Sequence, residues 1–241
     1  MSALPPLVQR PPELMDDPSL DASQHEEALR ALARIHIVSR TASQLAAYLV
    51  ALTHNLPSST GKTIRILDIA CGGGDLTTSV AARVARKVPH RVEFIGLDIS
   101  ERAIGWATRN HARATEKLDV AFRTCDVLNG ELPSCTLAFH SLFLHHLNDA
   151  QAVAQLRAMA AAAQGGFVFS DLLRTRFGLF LAQLGTRVLS RSSIAQIDGP
   201  LSVKAARTVE EYHRLFREAE LAVPTLRRAW PERICVMWSH S

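Results

Sequence analysis

The sequence predicts a doubly wound α/β domain, and three observations carry that prediction. Short β-branched and leucine-rich runs alternate with helical patterns from residue 64 to 172. The first such run stops in three consecutive glycines, Gly72 to Gly74. Carboxylates and histidines then recur just beyond the strand ends, where a parallel sheet forms its ligand crevice. The chain has 241 residues, 47% apolar and 21% charged, with no apolar run long enough to span a bilayer. Prolines and acids near the start stand where a signal peptide needs an apolar stretch, so a cytoplasmic protein is expected. Four dispersed cysteines form no CxxC pair and no metal-ligand spacing, so neither disulfides nor a metal are expected. The net charge of +4 is spread along the chain, which gives no support to a stable nucleic-acid partner.

Residues 1 to 20 hold five of the eleven prolines and are expected to run as an extended arm. Ser23 and Glu26 match a capping box that would open a helix carrying Ala28, Leu29, Leu32 and Ile35 on one face. A second helix over about 41 to 54 presents Leu45, Tyr48, Leu49 and Leu52. This pair could cover a sheet edge or form half of a substrate cap. The first strand, from Ile64 to Ile69, contains Asp68, a carboxylate that apolar packing does not explain. It leads through the glycine turn into a helix from Leu76 to Val88. A turn without side chains lets a polar or anionic group lie against backbone N–H groups at a helix N-terminus.

Strand Arg91 to Leu97 ends at Asp98, with Ser100 capping a helix to about Ala114. Strand Val120 to Thr124 runs into Cys125 and Asp126, and strand Thr136 to Leu142 runs into His145 and His146. A helix over about 149 to 163 reaches strand Phe167 to Ser170, which ends at Asp171. Residues 172 to 206 then break the alternation. Phe177, Phe180, Leu181, Leu184 and Val188 share one helical face, flanked by Arg174, Arg176, Arg187 and Arg191, and read as a lid. Residues 194 to 203 read as a loop around Asp198, Gly199 and Pro200. Thr208 and Glu211 form a capping box for a further helix, and Pro224 to Trp230 with Arg233 to Trp238 read as a terminal antiparallel hairpin. The expected division is an arm and helical cap over 1 to 56 and a main domain over 57 to 241, with the lid inserted at 172 to 206.

The glycine turn has Thr77 where a dinucleotide-binding G-x-G-x-x-G needs its third glycine, and no P-loop motif occurs. The ordered landmarks ILDIACGGG, IGLDIS, TCDV, SLFLHHL and GGFVFSDL instead resemble the class I S-adenosylmethionine-dependent methyltransferases, in texture closest to the small-molecule and quinone-pathway branches. The resemblance implies a Rossmann-like sheet of seven strands, mostly parallel with the last antiparallel. It implies S-adenosylmethionine as cofactor. Asp68 and the turn at Ala70, Cys71, Gly72 and Gly74 would hold the methionine part. Asp98, with Ile99 beside it, would take the ribose hydroxyls, and Asp126 with Val127 the adenine.

Ala70 stands where many relatives have glycine, which is tolerable if its backbone angle is ordinary. Thr136 stands where relatives often have aspartate, and His140 falls inside the fourth strand. No N/D-P-P-Y sequence follows that strand, which favours an oxygen or carbon acceptor over an amine. His146 is the favoured general base and His145 the second catalytic candidate, since histidine titrates near neutrality. Only one of these sequence neighbours is expected to enter the pocket; Asp171 could orient substrate. The lid stripe and apolar N-terminal helices suggest a hydrophobic phenolic, quinone-like or polyketide-type acceptor. A nucleic-acid methyltransferase and a catalytically silent cofactor-binding protein remain open alternatives.

Overall fold

The computed structural model describes residues 3–5, 12–17, 19–56, 63–190 and 192–240. Pro6, Pro11, Pro18 and Arg191, and residues 57–62 at the expected cap boundary, lie outside the described residues. The strands are β1 (Ile64–Ile69), β2 (Val92–Asp98), β3 (Val120–Thr124), β4 (Cys135–Ser141), β5 (Ala163–Leu172), β6 (Thr225–Ala229) and β7 (Arg233–Trp238). They form one sheet in the order β3-β2-β1-β4-β5-β7-β6. The first five pair in parallel, while β7 runs antiparallel to both β5 and β6. The seven-stranded fold and the terminal hairpin are therefore as expected. Because β7 is reversed, its first residue, Arg233, stands at the same sheet edge as the ends of β1 to β5.

Nine helices are described: α1 (Ala22–Val38), α2 (Thr41–His54), α3 (Asp75–Val84), α4 (Glu101–Asn110), α5 (Ala112–Lys117), α6 (Asp149–Ala162), α7 (Arg176–Leu189), α8 (Ser193–Ala205) and α9 (Val209–Glu218). The sheet separates two apolar cores. On one face Phe167, Phe169, Ile234 and Val236 meet α6 and α9 through Leu156, Tyr212 and Phe216. On the other, Ile66, Phe139 and Val168 meet Leu45, Leu49 and Leu52 of α2 and Val80 of α3. Each such fully buried side chain contributes about 1.5–3 kcal/mol. The two N-terminal helices divide the roles offered to them: α2 covers the sheet, and α1 roofs the crevice.

Several local expectations are corrected. Helix α1 is capped by Asp21, whose carboxylate accepts from the N–H groups of Ser23 and Gln24, rather than by Ser23. Residues 194 to 203 are helical. The N-terminus of α8 is fixed by Ser192, and Gly199 is a packing contact, since a Cβ there would lie 2.5 Å from Thr186 of α7. Strand β5 begins at Ala163 and absorbs Gly165 and Gly166. The arm is docked rather than extended where it is described. Leu14–Asp16 forms a 3-10 turn whose Leu14 and Met15 N–H groups donate to Asp198 of α8 at 2.9 and 3.1 Å.

Candidate active site

The C-terminal sheet edge, the roof helix α1, the docked arm and helices α7 and α8 enclose one cavity of about 890 Å³. Ten of the eleven predicted site residues line it: Asp68, Ala70, Cys71, Gly72, Asp98, Ile99, Asp126, Val127, His145 and His146. Gly74 is not in the wall. It occupies φ +75° at the start of α3, where a Cβ would lie 2.5 Å from the Phe122 ring and 2.9 Å from Ala107, so close packing accounts for it.

At one end the glycine turn brings carboxylates together. Asp68 is 1% exposed and among the described residues accepts a single side-chain hydrogen bond, from Thr77 Oγ1 at 2.6 Å. Burial, with the charges of Asp75 and Asp98 adding, pushes its carboxyl well above the usual range. Asp98 accepts from the Gly72 N–H on one oxygen at 2.8 Å and from the Ser100 N–H on the other at 2.9 Å, yet burial still raises it. Burial and the charges of Asp68 and Asp98 also push the Cys71 thiol well up. Ala70 sits at φ +56°, so its backbone angle is not ordinary. Asp126 is part-exposed; the Asn129 side chain and the Leu128 and Asn129 N–H groups bond its oxygens and hold it below the usual range. Ile99 is exposed at the rim, while Val127 is buried.

At the other end both histidines face the cavity, because a 3-10 turn over Leu144–His146 sets their rings 4.3 Å apart. The expectation that only one would enter is thus corrected. His145 is 2% exposed and has both ring nitrogens opposite carboxylates: Nδ1 at 2.7 Å from Asp171 and Nε2 at 3.4 Å from Glu13. Burial is the largest single influence and disfavours the charged ring, but Asp171 and Glu13 together outweigh it and raise His145 to about 9. Asp171 is driven down to about 2 against its own burial by the same imidazolium. Glu13 is likewise lowered against its burial, by both histidines and by a short hydrogen bond from Ser202. Asp171 is spent on His145 and does not reach the cavity wall. His146 is partly exposed, with Nδ1 3.4 Å from Asp16 and Nε2 3.9 Å from Glu13. His140 is stacked on Phe169 at 4.7 Å inside the sheet, where burial lowers it to about 4.

The lid faces otherwise than its pattern suggested. Phe177, Phe180, Leu184 and Val188 are exposed, and the cavity wall comes from Gly178, Leu181, Ala182, Gly185 and Thr186. Of the stripe, only Leu181 faces inward, and the small residues on that side leave room for a ligand. Glu13, Asp16 and Arg233 were not singled out from the sequence. Arg233 had a signal, a charge heading the apolar run RICVMW, and Glu13 had none because its partners lie 132 or more positions away.

The family described as Methyltransferase domain matches residues 66–166. A ubiquinone biosynthesis O-methyltransferase of Nitrosomonas europaea is 26% identical over 158 residues, covering 65% of this chain and 59% of that protein. The chain thus spans about three fifths of the length of the curated relative it matches. An O-methyltransferase family 2 protein of Planctomyces limnophilus, solved in complex with apigenin, superposes with a TM-score of 0.60 at 15% identity over 93% of this chain and 63% of its own. Magnesium protoporphyrin IX methyltransferase of Synechocystis with bound S-adenosylhomocysteine gives 0.57 at 18% identity, over 93% and 90%. These structural likenesses speak to the fold, and the matched landmarks run from the first strand into the fifth. Residues 66–166 are therefore similar to a methyltransferase domain, and the match spans the part of the sheet from β1 into β5 that carries the glycine turn.

Proposed function

We propose that the protein transfers a methyl group from S-adenosylmethionine to an oxygen, or a carbon, of a hydrophobic phenolic, quinone-like or polyketide-type molecule. The observation that carries this reading is one cavity with under-compensated carboxylates at one end and a partly free histidine at the other. Its volume lies high in the range of about 300–1,000 Å³ for ligand pockets, as a site for two ligands requires. The relative named for ubiquinone biosynthesis and the neighbour crystallised with apigenin point the same way.

The residues present suit the cofactor. Asp68, with its raised carboxyl, calls for a cation, which the cofactor's ammonium supplies. Gly72, at φ +52°, has only Leu29 within 4.0 Å of where a Cβ would project, so its backbone forms an open cradle. Each Asp98 oxygen accepts one N–H and keeps a lone pair for a ribose hydroxyl. Asp126 and Val127 line the same cavity and would take the adenine edge. The bound cofactor supplies an already activated methyl group.

The protein's remaining tasks are to align the acceptor, exclude water and take a proton. His146 is the base. Nε2 is too far from Glu13 for a hydrogen bond, so its lone pair is open to an acceptor hydroxyl proton. Asp16 and Glu13 flank the ring, at 3.4 Å from Nδ1 and 3.9 Å from Nε2. His145 cannot share this role, because it is buried with Nδ1 bonded to Asp171 at 2.7 Å and already holds the proton. It positions Glu13 and the turn that carries His146.

The test is calorimetric titration with S-adenosylhomocysteine, followed by an acceptor screen of phenols and quinols with wild type and His146→Ala. Both proteins are expected to bind S-adenosylhomocysteine alike, while the variant loses about 100-fold or more in turnover. Absence of binding by the wild type sinks the cofactor assignment. Undiminished turnover by the variant sinks the assignment of the base.

A further inference from the structure

Arg233 takes no part in the glycine turn or in the pairing of the two histidines. It opens β7, is 2% exposed, and lines the cavity. Its Nε and Nη1 meet no hydrogen-bond partner among the described residues. Two carboxylates are close in the chain or the sheet, and both are committed. Asp171 accepts from the His145 ring at 2.7 Å and from the Leu172 N–H at 2.7 Å. Glu232 accepts from Thr175 Oγ1 at 2.8 Å. A guanidinium that is buried and unpaired is costly, and such charges in folded proteins are normally paired.

Two more orphaned groups lie beside it. Ser141 and Ser170 both have a buried Oγ without a partner among the described residues, and Ser141 lines the cavity. Register places the three together. Ser141 pairs with Ser170, Ser170 pairs with Cys235, and Arg233 lies two residues from Cys235. Paired residues share a face and alternate residues return to it, so the three side chains stand on one face of β4, β5 and β7 in a diagonal polar row, with Arg233 opposite Leu172, two positions nearer the sheet edge than the serine pair. The carboxylates that suit the cofactor lie in β1 and β2 and just beyond β3. With strands about 4.8 Å apart, β7 lies roughly 14 Å from β1, on the acceptor side of the histidines.

We propose that the methyl acceptor is an acid, and that its carboxylate pairs with Arg233 while the hydroxyls of Ser141 and Ser170 extend the same polar row. One unpaired cation matches one negative charge. A dianionic phosphate is disfavoured, because Asp171 and Glu232 would repel its second charge. The rest of the acceptor lies against Leu172, Leu181 and Val203, which asks for an apolar body. Arg233 is thus a specificity-determining residue, and methylation falls on a hydroxyl or carbon of the molecule whose carboxylate it holds.

The test measures binding to protein saturated with S-adenosylhomocysteine, using hydroxybenzoates and hydroxynaphthoates, each paired with its carboxamide. The wild type is expected to bind at least one acid about tenfold or more tightly than its amide. Arg233→Met should erase that preference without changing affinity for S-adenosylhomocysteine, and Arg233→Lys should restore part of it. The idea is overturned if no acid in the panel is preferred, whether the pairs bind equally or not at all, or if Arg233→Met keeps the preference. A loss of S-adenosylhomocysteine affinity in Arg233→Met would overturn it too, by assigning the arginine to the cofactor. The proposal rests on the methyl-transfer reading. Failure of the wild type to bind S-adenosylhomocysteine sinks that reading, whereas binding without acid preference sinks this proposal alone.

Discussion

The two ends of the cavity handle buried charge in opposite ways. At the glycine turn Asp68 is buried and Asp98 half-buried, with only neutral hydrogen-bond donors among the described residues, and both carboxyls are raised. At the histidine turn Asp171 and Glu13 are both buried, yet both are lowered because His145 lies between them. The same side-chain type in the same cavity therefore takes opposite shifts. The first end is left short of positive charge and suits a cationic ligand. The second is compensated from within by one imidazolium set between two carboxylates and serves as scaffold, while Arg233 beyond it keeps Nε and Nη1 without a hydrogen-bond partner among the described residues.

The sharpest way to break this contrast is to remove the compensation at the second end. Asp171→Ala should leave His145 with Glu13 alone and strip the Leu172 N–H and the His145 ring of their acceptor. Breaking a buried pair on one side costs about 3–5 kcal/mol. For a chain of this size thermal unfolding should fall by about 10 °C. A loss below about 1 kcal/mol would mean that the pair is not charged.

The pH dependence follows from the same pair. The His145 value of about 9 lies above the ordinary value near 6.5, so its contribution is complete below about 6.5 and disappears as pH rises through about 9. The Asp171 value of about 2 lies below the ordinary value near 4, so its contribution is present above about 4 and disappears as pH falls through about 2. Roughly 3 kcal/mol should be lost between pH 7 and pH 10 in denaturant titrations. A flat alkaline limb would remove the imidazolium from the account.

At the first end the expected effect is on binding. Asp98→Ala should weaken S-adenosylhomocysteine by about 2 kcal/mol, or some 30-fold, by removing a charged acceptor of two hydroxyl hydrogen bonds. His146→Ala should leave that affinity unchanged. Affinity should also fall as the solution is acidified through the raised Asp68 range, since protonation removes the counter-charge for an ammonium. Equal binding by wild type and the Asp98 variant would overturn the ribose assignment.

The two ends also differ in how far they can be read from the chain. The glycine-turn end comes from strand termini within one stretch of about sixty residues, so local patterning exposes Asp68, Asp98 and Asp126 together. The histidine end needs Glu13, His145, Asp171 and Ser202, brought together only by folding. The arm is held by Asp198 across 184 and 183 positions, and no local signal distinguishes such a clasp from a loop aspartate beside Gly-Pro. Helix α7 shows the limit of periodicity. Its apolar stripe marks a helix correctly, but the stripe alone does not decide which side faces the cavity, and here the face with two glycines does.

Ala70 offers the smallest and cleanest adjustment, because it lies in the legible end and tests a condition set by the sequence. An alanine replacing glycine is harmless only at an ordinary angle, and here φ is +56°. A left-handed conformation costs a residue with a Cβ about 1–2 kcal/mol, part of which glycine returns through its freer unfolded chain. Ala70→Gly should therefore stabilise the protein by about 1 kcal/mol, a rise of roughly 2–4 °C. Cofactor affinity should stay within about twofold, because the turn keeps its shape and loses one methyl from the cavity wall. A stability gain with unchanged affinity would mean that the strain is incidental to binding. A gain accompanied by a clear loss of affinity would mean that the strained alanine holds the turn in the geometry the ligand needs, and the strain would then belong to the site.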